Sequence, residues 1–526
     1  MIIFAGNKNR IDSPFVHTIE YTYMNIPQHS LKKRYPTFMI FRKQIGILLL
    51  SLISISTMAQ PKHEVRAAWL TTVYGLDWPQ TRANTPAGIQ QQKKELVEIL
   101  DQLKAANFNT ILFQTRARSD VFYPSSIEPF SNMLTGKVGK HPGYDPLAFA
   151  IEECHKRGME CHAWMVTIPL GTRKHIAAQG KHAITQKRKE ICVSYRGEYY
   201  LNPGHPDTKN YLMSLIREVV EKYDIDGVHF DYLRYPEHAK QFPDKAQYRK
   251  HGKGRSLAQW RRDNITEIVR HIYKEVKAIK PWIKVSSSPV GKYDDTTRYP
   301  SQGWNALHVV HQDVQGWLAE GIQDQIYPMM YFKENAFYPF ALDWKEQSNG
   351  RHIIPGLGIY FLKERKEEWS TEEIVRQIAH TRTYDLAGQG HYRAKYLMQN
   401  VQQIYDLLRE NTYKYPALQP PMTWGDSIPP TVPTVLRIEV KGNGYKMLSW
   451  QPATDNDCHN RPSYVIYASD TYPVDTDNPK NIIAQGIKET SFLYTTIFPW
   501  EDKHYFAVTA VDRYGNESEA IQASTY

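Results

Sequence analysis

The chain has 526 residues, of which 41% are apolar and 12% aromatic, and these values exclude a disordered chain because they supply enough apolar surface for a large core. The formal net charge is +10, but residues 1–59 contain seven Lys or Arg and two Asp or Glu, so the rest of the chain carries 10 − 5 = +5. Its basic residues are spread along the sequence, which gives little support to a nucleic-acid partner.

Residues 41–59 have the pattern of a secretory signal peptide. Arg42 and Lys43 precede an apolar run over residues 45–55, and small residues follow as far as Ala59. Such segments direct export and are then removed. We predict an exported protein, periplasmic or extracellular, cleaved near Ala59; a start at Met39 would make the signal compact. The apolar run is too short for a spanning helix, so no stable membrane insertion is expected after cleavage.

Residues 60–415 are predicted to form a (β/α)8 TIM barrel. Strand patterns alternate with amphipathic helical patterns, such as Leu96, Ile99, Leu100 and Leu103 after the first strand. Eight strand-then-helix units favour a parallel sheet closed into a barrel. The predicted strands are residues 64–72, 109–116, 159–166, 226–233, 283–288, 323–331, 353–359 and 388–396.

Long polar connections follow the C-terminal ends of four predicted strands. They span residues 117–143, 167–206, 236–255 and 289–305. Loops of more than about 15 residues are uncommon unless they are functional. Their position on one side of the barrel predicts a substrate cleft there.

The last part of the chain changes character. Residues 416–433 are a proline-rich linker, which is stiff, and residues 434–526 have an all-β pattern. The runs Leu448-Ser-Trp450, Tyr464-Val-Ile-Tyr467 and 505–512 resemble a fibronectin type III sandwich with Trp450 as a core aromatic residue. Such a domain is expected to be a spacer or a docking module.

The cysteines indicate neither a disulfide framework nor a metal site. Cys154, Cys161, Cys192 and Cys458 have no paired spacing, and no Cys-x-x-Cys occurs. We expect buried free thiols, no metal and no cofactor. The sequence indicates no oligomeric state.

The stretch from Asp226 to Pro236 is the centre of the functional prediction. It is predicted to be a short strand closed by a proline, and its alternation divides it into two faces, with Gly227, His229 and Asp231 on one and Val228, Phe230 and Tyr232 on the other. Catalytic groups of barrel enzymes lie at the C-terminal ends of strands. We therefore predict that Asp231 is one of the two carboxylates of a glycosidase site; the alternative is an acid that caps the following loop.

The second carboxylate is predicted to be Glu334. It follows the sixth strand, in a partly apolar neighbourhood that would raise its pKa as a general acid requires. Asp294 and Asp295, after the fifth strand, compete for this role, and an exposed loop acid is the alternative for Glu334.

The second strand contributes two predicted substrate-binding residues, Gln114 and Arg116. They share a parity and are expected to line the barrel mouth. An arginine there can hold a catalytic carboxylate ionised by lowering its pKa. An internal salt bridge is the alternative for Arg116.

Five further residues complete the predicted substrate-binding set. They are His162, Trp164, Asn202, His229 and Tyr331. Trp164 suits stacking on a sugar ring or packing in the core, Asn202 contacts substrate or caps a helix, and His229 either orients Asp231 or is a satisfied interior histidine.

Several motifs in this order give the region 63–410 a family resemblance. They are Arg66-Ala-Ala-Trp-Leu70, Gln114-Thr-Arg116, Asp145-Pro-Leu-Ala148, Ala163-Trp164, Leu201-Asn-Pro203, Asp226-Gly-Val-His-Phe-Asp231 and Tyr235-Pro236. Together they resemble the glycosyl-hydrolase-like 10 family of secreted bacterial TIM-barrel proteins. The resemblance implies hydrolysis of a glycan, and some members are associated with peptidoglycan strands stripped of their peptides. Many members have Asp-Asp-Tyr where this chain has Asp231-Tyr232-Leu233, so a second family acid is absent.

These observations predict an exported glycoside hydrolase whose substrate is a bacterial cell-envelope glycan, with peptide-stripped peptidoglycan as the favoured example. The alternative is a non-catalytic carbohydrate-binding or envelope scaffold protein. A second carboxylate roughly 5 to 9.5 Å from Asp231 would favour the enzyme.

Overall fold

The computed structural model describes residues 60–296, 298, 303–442, 445–456, 461–496 and 499–525. The predicted signal peptide and Cys458 lie outside these residues. Among the described helices, none combines the length and the apolar character needed to cross a membrane.

Eight parallel strands form a closed barrel, as predicted. They are β1 (Val65–Leu70), β2 (Thr110–Arg116), β3 (Glu160–Val166), β4 (Gly227–Asp231), β5 (Lys284–Ser288), β6 (Gln325–Ile326), β7 (His352–Ile353 and Gly356–Leu357) and β8 (Gly388–His391). The hydrogen-bonded order runs from β7 through β6, β5, β4, β3, β2 and β1 to β8 and back to β7. Closure is visible at β7, where Gly356 N donates to Pro328 O at 2.8 Å and Tyr392 N donates to Leu357 O at 3.0 Å.

Helices cover the outside of the barrel between successive strands. They are α1 (Pro86–Ala105), α2 (Pro146–Lys156), α3 (Asp207–Lys222), α4 (Leu257–Ile279), α5 (Val314–Ala319), α6 (Tyr338–Glu346) and α7 (Thr371–Thr383), and the short helices Ala394–Met398 and Ile404–Leu407 follow β8. The apolar stripe of α3 is buried, including Leu212, Leu215 and Val219. It packs on the outer faces of the strands because helical periodicity places these side chains on one side.

The long connections at the C-terminal ends of the strands contain small elements of their own. The connection after β3 folds into three short antiparallel strands, Pro169–Thr172, Cys192–Tyr195 and Glu198–Leu201. Short helices occupy the others, at Asn132–Thr135, Lys245–His251 and Ala306–Val309. The built-up rim predicted from loop length therefore lies at the barrel mouth.

The barrel interior is filled by large side chains that sit over glycines. Trp69 lies in the middle and contacts His229 and Tyr327 edge to face, with ring centroids 5.9 and 5.8 Å away. A Cβ atom at Gly390 would lie 2.6 Å from the Trp69 ring. Glycine at this position therefore makes room for the indole.

Two local predictions need correction. The eighth strand, predicted over residues 388–396, ends at His391, and the chain turns into the helix Ala394–Met398. Tyr232 does not continue the outer face of β4, because its φ of +54° ends the strand and turns the chain at the mouth. Such a left-handed residue interrupts the period-two alternation on which the prediction depended.

The C-terminal part is a β sandwich. One antiparallel sheet contains Thr434–Gly442, Tyr445–Gln451 and Ser491–Thr495, and the other contains Ile482–Ile487, Ser463–Ser469, Tyr505–Val511 and Ile521–Ser524. Trp450 is buried between them with Tyr464, at a ring-centroid distance of 5.2 Å. This follows from the alternation of apolar residues along the strands.

The sandwich and the segment before it pack against the N-terminal end of the barrel. Arg513 forms an ion pair with Asp224, which precedes β4, at 2.8 Å. The indole N–H of Trp424 donates to Asp324, just before β6, at 2.9 Å. The opposite end of the barrel, where Asp231 lies, is thus left to the long loops.

The described cysteines carry free thiols, as expected for Cys154, Cys161 and Cys192. Cys154 and Cys161 are fully buried, and Cys192 is half-buried.

Candidate active site

Asp231 lies at the C-terminal end of β4 on the inner face of the barrel, where the alternation predicts it. Its Oδ1 atom accepts hydrogen bonds from the Tyr232 backbone N–H at 2.8 Å and from the Ser288 hydroxyl at 3.2 Å. In the described part of the chain, no protein hydrogen bond reaches its other oxygen, Oδ2. The residue is 7% exposed, so this carboxyl is sheltered while one oxygen remains available.

Burial raises the pKa of Asp231 to about 6. The positive charge of Arg234, the hydrogen bonds from Tyr232 and Ser288, and the nearby indole of Trp164 oppose this effect without cancelling it. A carboxyl that titrates near neutral pH exists in both protonation states under ordinary conditions, which is the property of a general acid or base.

Three tyrosines form a rim beside Asp231. Tyr331 lies 5.5 Å from Tyr392 and 5.7 Å from Tyr360, measured between ring centroids. Burial raises the pKa of all three hydroxyls, and the charge of Asp231 contributes at Tyr331 and Tyr392. Tyr331 therefore lies in an aromatic cluster close enough to Asp231 for that charge to act on its hydroxyl, and its contact with a sugar ring stays a prediction.

Trp164 also lies beside Asp231, one step below it. It is 3% exposed and packs with Trp69, Tyr327 and Leu112 in the barrel interior. The stacking of its ring on a sugar, predicted from its position near the mouth, is wrong because the ring is covered. Its indole N–H makes no hydrogen bond within the protein, yet it lies close enough to Asp231 to lower the pKa of that carboxyl.

His229 is a satisfied interior residue, which corrects its prediction as a substrate contact. Its Nε2 atom accepts from the Trp69 indole N–H at 3.2 Å, and its Nδ1 atom is 3.0 Å from the Ser286 hydroxyl. Burial lowers its pKa well below the ordinary value, so the ring is neutral. Two residues of strand place it about 7 Å below Asp231.

His162 lies deeper still and cannot contact a ligand at the mouth. It stands opposite Gly227 in the β3–β4 ladder, whereas Asp231 stands opposite Val166. Four residues of strand correspond to about 13 Å. Its Nε2 atom binds Glu160 at 2.9 Å, so the prediction of a substrate contact is wrong.

Arg116 faces away from the barrel interior, because the pairing of β2 with β3 shifts by one residue between Gln114 and Arg116. This bulge gives the two residues opposite parities. The guanidinium of Arg116 forms a two-pronged ion pair with buried Glu128, both distances being 2.7 Å. The internal salt bridge is thus the correct alternative, and the contact with a catalytic carboxylate is wrong.

Gln114 and Asn202 both stabilise turns, because their side-chain carbonyl oxygens accept hydrogen bonds from the backbone. The carbonyl oxygen of Gln114 accepts from the backbone N–H groups of Thr72 and Val73 at 2.9 and 2.7 Å. The carbonyl oxygen of Asn202 accepts from Gly204 N at 3.0 Å. Their prediction as substrate contacts is replaced by a role in shaping the loops after β1 and β3.

Glu334 is exposed, so the apolar surroundings predicted for it are absent. It lies in a short turn, Glu334–Ala336, with a φ of +51°. Its charge acts on Tyr338 of α6 and Arg376 of α7, outside the barrel. None of its described contacts reaches Asp231.

The competing acids also have other partners. Asp294 is bound by His308 at 3.1 Å, and Asp295 is exposed. The groups that act most strongly on Asp231 are Arg234, Tyr232, Ser288 and Trp164, and no carboxylate is among them. The strongest influences on Asp231 therefore come from cationic, hydroxyl and aromatic groups, while the buried acids Asp77 and Asp120 lie in the loops after β1 and β2.

Comparison with known proteins identifies the family of the barrel. A family model described as glycosyl hydrolase-like 10 matches residues 64–366, which is more than half of the chain. The chain belongs to the glycosyl hydrolase-like 10 family. The resemblance carried by the ordered motifs is confirmed.

Two relatives of this glycosyl hydrolase-like 10 protein are described as glycosyl hydrolases. YngK of Bacillus subtilis is 32% identical over 504 residues, which cover 91% of this chain and 97% of YngK. DigH of Escherichia coli K12 is 31% identical over 311 residues, covering 55% of this chain and 71% of DigH. Among solved structures, the glycoside hydrolase domain of PgaB (BpsB) from Bordetella bronchiseptica is 15% identical, with a TM-score of 0.45 over 67% of this chain and 99% of that domain.

Sequence reasoning missed two residues of the site in this glycosyl hydrolase-like 10 protein. Ser288 bonds Asp231, and its signal was the alternation of Lys284, Ser286 and Ser288 along one face of the fifth strand. Arg234, three residues after Asp231, had a weaker signal, since only its place between the strand and Pro236 set it near the mouth.

Proposed function

We propose that this glycosyl hydrolase-like 10 protein is an exported glycoside hydrolase that cleaves a bacterial cell-envelope glycan, with peptide-stripped peptidoglycan strands as the favoured substrate. The observation that carries the proposal is Asp231, a sheltered carboxyl at the barrel mouth whose pKa is raised to about 6 by burial. Family membership supports a glycosidase-type reaction.

In the proposed reaction, Asp231 is the general acid. In its protonated form it gives its proton to the glycosidic oxygen while the bond from that oxygen to the anomeric carbon breaks, and the departing sugar leaves as an alcohol. A neutral carboxyl is needed at this step, and burial supplies it near pH 6. The rim formed by Tyr331, Tyr360 and Tyr392 holds the apolar face of the sugar ring.

A single carboxylic acid is sufficient when the substrate supplies the nucleophile. In some glycosidase families the 2-acetamido oxygen of an N-acetylated amino sugar attacks the anomeric carbon in place of an enzyme carboxylate. The absence of a carboxylate among the strongest neighbours of Asp231 supports this route. It also supports a substrate made of N-acetylated amino sugars, as peptidoglycan strands are.

Export is the second part of the proposal. It is supported by the basic start, apolar run and small residues of positions 41–59. An exported protein would meet envelope glycans directly. The N-terminal sequence of the protein recovered from outside the cytoplasm should begin near Gln60.

The test is a panel of glycans incubated with the exported protein near pH 6. It should contain peptide-free peptidoglycan strands, intact peptidoglycan, chitin oligomers and de-N-acetylated strands, with new reducing ends and product masses as the readout. We expect release from peptide-free strands and little from the de-N-acetylated ones. Binding of strands without release from any glycan would overturn hydrolysis and favour a carbohydrate-binding protein.

A further inference from the structure

Arg234 is a buried cation whose charge acts on Asp231 but which has no hydrogen-bonded carboxylate among the described residues. Its side chain is 2% exposed, and among the described residues the one carboxylate within ion-pair range is Glu237, at 3.9 Å and 44% exposed. The Nε–H group is buried and makes no hydrogen bond within the protein. A buried charge left without a bonded partner is costly, so a ligand of opposite charge would be stabilised at this position.

Two aromatic rings lie near this guanidinium. The guanidinium carbon is 4.8 Å from the Tyr232 ring centroid and 5.5 Å from the Trp304 ring centroid. Contacts with ring faces stabilise the cation without using its N–H groups. The donors therefore remain available at its edge, which is the part that recognises an anion.

Further unbonded donors lie around the same place. The indole N–H of Trp304 is buried and without a hydrogen bond, as is that of Trp164. Arg234 and Trp164 both act on the carboxyl of Asp231, so they lie on the same side of the barrel mouth. Apart from the Asp231 carboxyl, the unbonded side-chain groups here are donors, and they suit a ligand that brings negatively charged oxygen atoms.

We infer that Arg234 binds the carboxylate of an acidic sugar in the glycan that occupies the cleft at Asp231. The inference rests on the proposed function for the choice of a glycan, and it adds a specificity for carboxylate-bearing sugars. The planar guanidinium suits a carboxylate, because two parallel N–H···O bonds match its two oxygens. Trp304 is half-buried, with its ring centroid 5.5 Å from the guanidinium carbon, so its ring borders the proposed carboxylate site.

The test compares two glycans that differ in charge alone. One is peptide-free peptidoglycan strands, whose muramic sugars carry a carboxylate, and the other is the same strands after reduction of each carboxyl group to an alcohol. Binding is measured by calorimetry on the full exported protein carrying Asp231→Asn, so that turnover does not interfere. We expect the acidic strands to bind roughly 10- to 100-fold more tightly, the range of a hydrogen bond between charged groups.

Variants then assign the preference to one residue. Arg234→Gln should bring the affinities for the two glycans within about twofold of each other by removing a charge-assisted bond. Arg217→Gln is the matched control, since Arg217 lies on α3 with its side chain 42% exposed, and it should keep the preference. Near-equal binding of the two glycans by the parent protein overturns the inference even if Arg234→Gln does not fold. A preference that survives Arg234→Gln overturns it as well.

The outcomes separate this inference from the proposed hydrolysis. Equal affinities together with reducing-end release by the wild-type protein leave the hydrolase standing and remove the role of Arg234. A carboxylate preference without any release keeps the role of Arg234 and removes hydrolysis. Failure of both glycans to bind, together with no release by the wild-type protein, overturns both; failure to bind with release still seen overturns the role of Arg234 alone.

Discussion

Replacement of Asp231 by asparagine should stabilise the fold at neutral pH. Burial raises the pKa of Asp231 from 3.8 to about 6, so the folded chain binds this proton more tightly than the unfolded chain does. The contribution to stability is full below pH 3.8 and is lost as the pH rises through 6. At neutral pH the ionised carboxylate therefore destabilises the wild-type fold, and an uncharged side chain of the same shape removes that penalty.

The magnitude follows from the size of the shift. A change of about two pKa units at about 1.4 kcal/mol per unit gives about 3 kcal/mol at pH 7.5, and about 0.5 kcal/mol at pH 4. The free energy of unfolding of Asp231→Asn minus that of the wild type should thus rise by about 2.5 kcal/mol between these pH values. Any constant effect of the amide group cancels in this comparison.

Urea unfolding at several pH values measures the difference directly. Glu334→Gln is the control, because Glu334 is exposed and its replacement should leave the pH dependence of stability parallel to that of the wild type. A flat difference for Asp231→Asn between pH 4 and pH 7.5 would refute the claim that burial holds this carboxyl near neutrality.

Two further substitutions test the surroundings. Ser288→Ala removes a hydrogen bond that favours the ionised form of Asp231, so the pKa of Asp231 should rise by about one unit. The alkaline limb of the pH profile of hydrolysis should then move from about pH 6 to about pH 7. Ser287→Ala is the control, because the Ser287 hydroxyl bonds Gln323 instead, and it should leave that limb unmoved. Arg116→Met leaves Glu128 buried without its cation and should lower the free energy of unfolding by about 3–5 kcal/mol. A loss below about 1 kcal/mol would mean that this ion pair has little part in holding the fold.

The barrel could be predicted from the sequence because its strands and helices carry strong periodic patterns. Each of the eight predicted strands has a counterpart, and Asp231 follows from simple alternation along β4. The ordered motifs located the family for the same reason, since each is a short run of local sequence. Periodic patterns and short motifs can be recognised within a few neighbouring residues, so the sequence alone is enough to predict them.

The surroundings of Asp231 could not be predicted because they depend on departures from regularity. The bulge before Arg116 reverses the direction of that side chain, and nothing in Gln-Thr-Arg signals it. The guanidinium of Arg234 packs near Trp304, which is 70 positions further along the chain and so cannot be paired with it from local sequence. The apolar residues next to Glu334 in the sequence predict a sheltered side chain, yet Glu334 lies in a turn with positive φ and is exposed.

The account depends most on Asp231 as the group that gives the proton, and a rate comparison tests this directly. Release of reducing ends from peptide-free peptidoglycan strands is measured near pH 6 for the wild type, Asp231→Asn and Glu334→Gln, after each is shown to be folded. We expect Asp231→Asn to lose at least about 100-fold in rate, the scale of general acid catalysis, and Glu334→Gln to stay near the wild type. A folded Asp231→Asn protein with wild-type activity, or a Glu334→Gln protein without activity, would contradict the account.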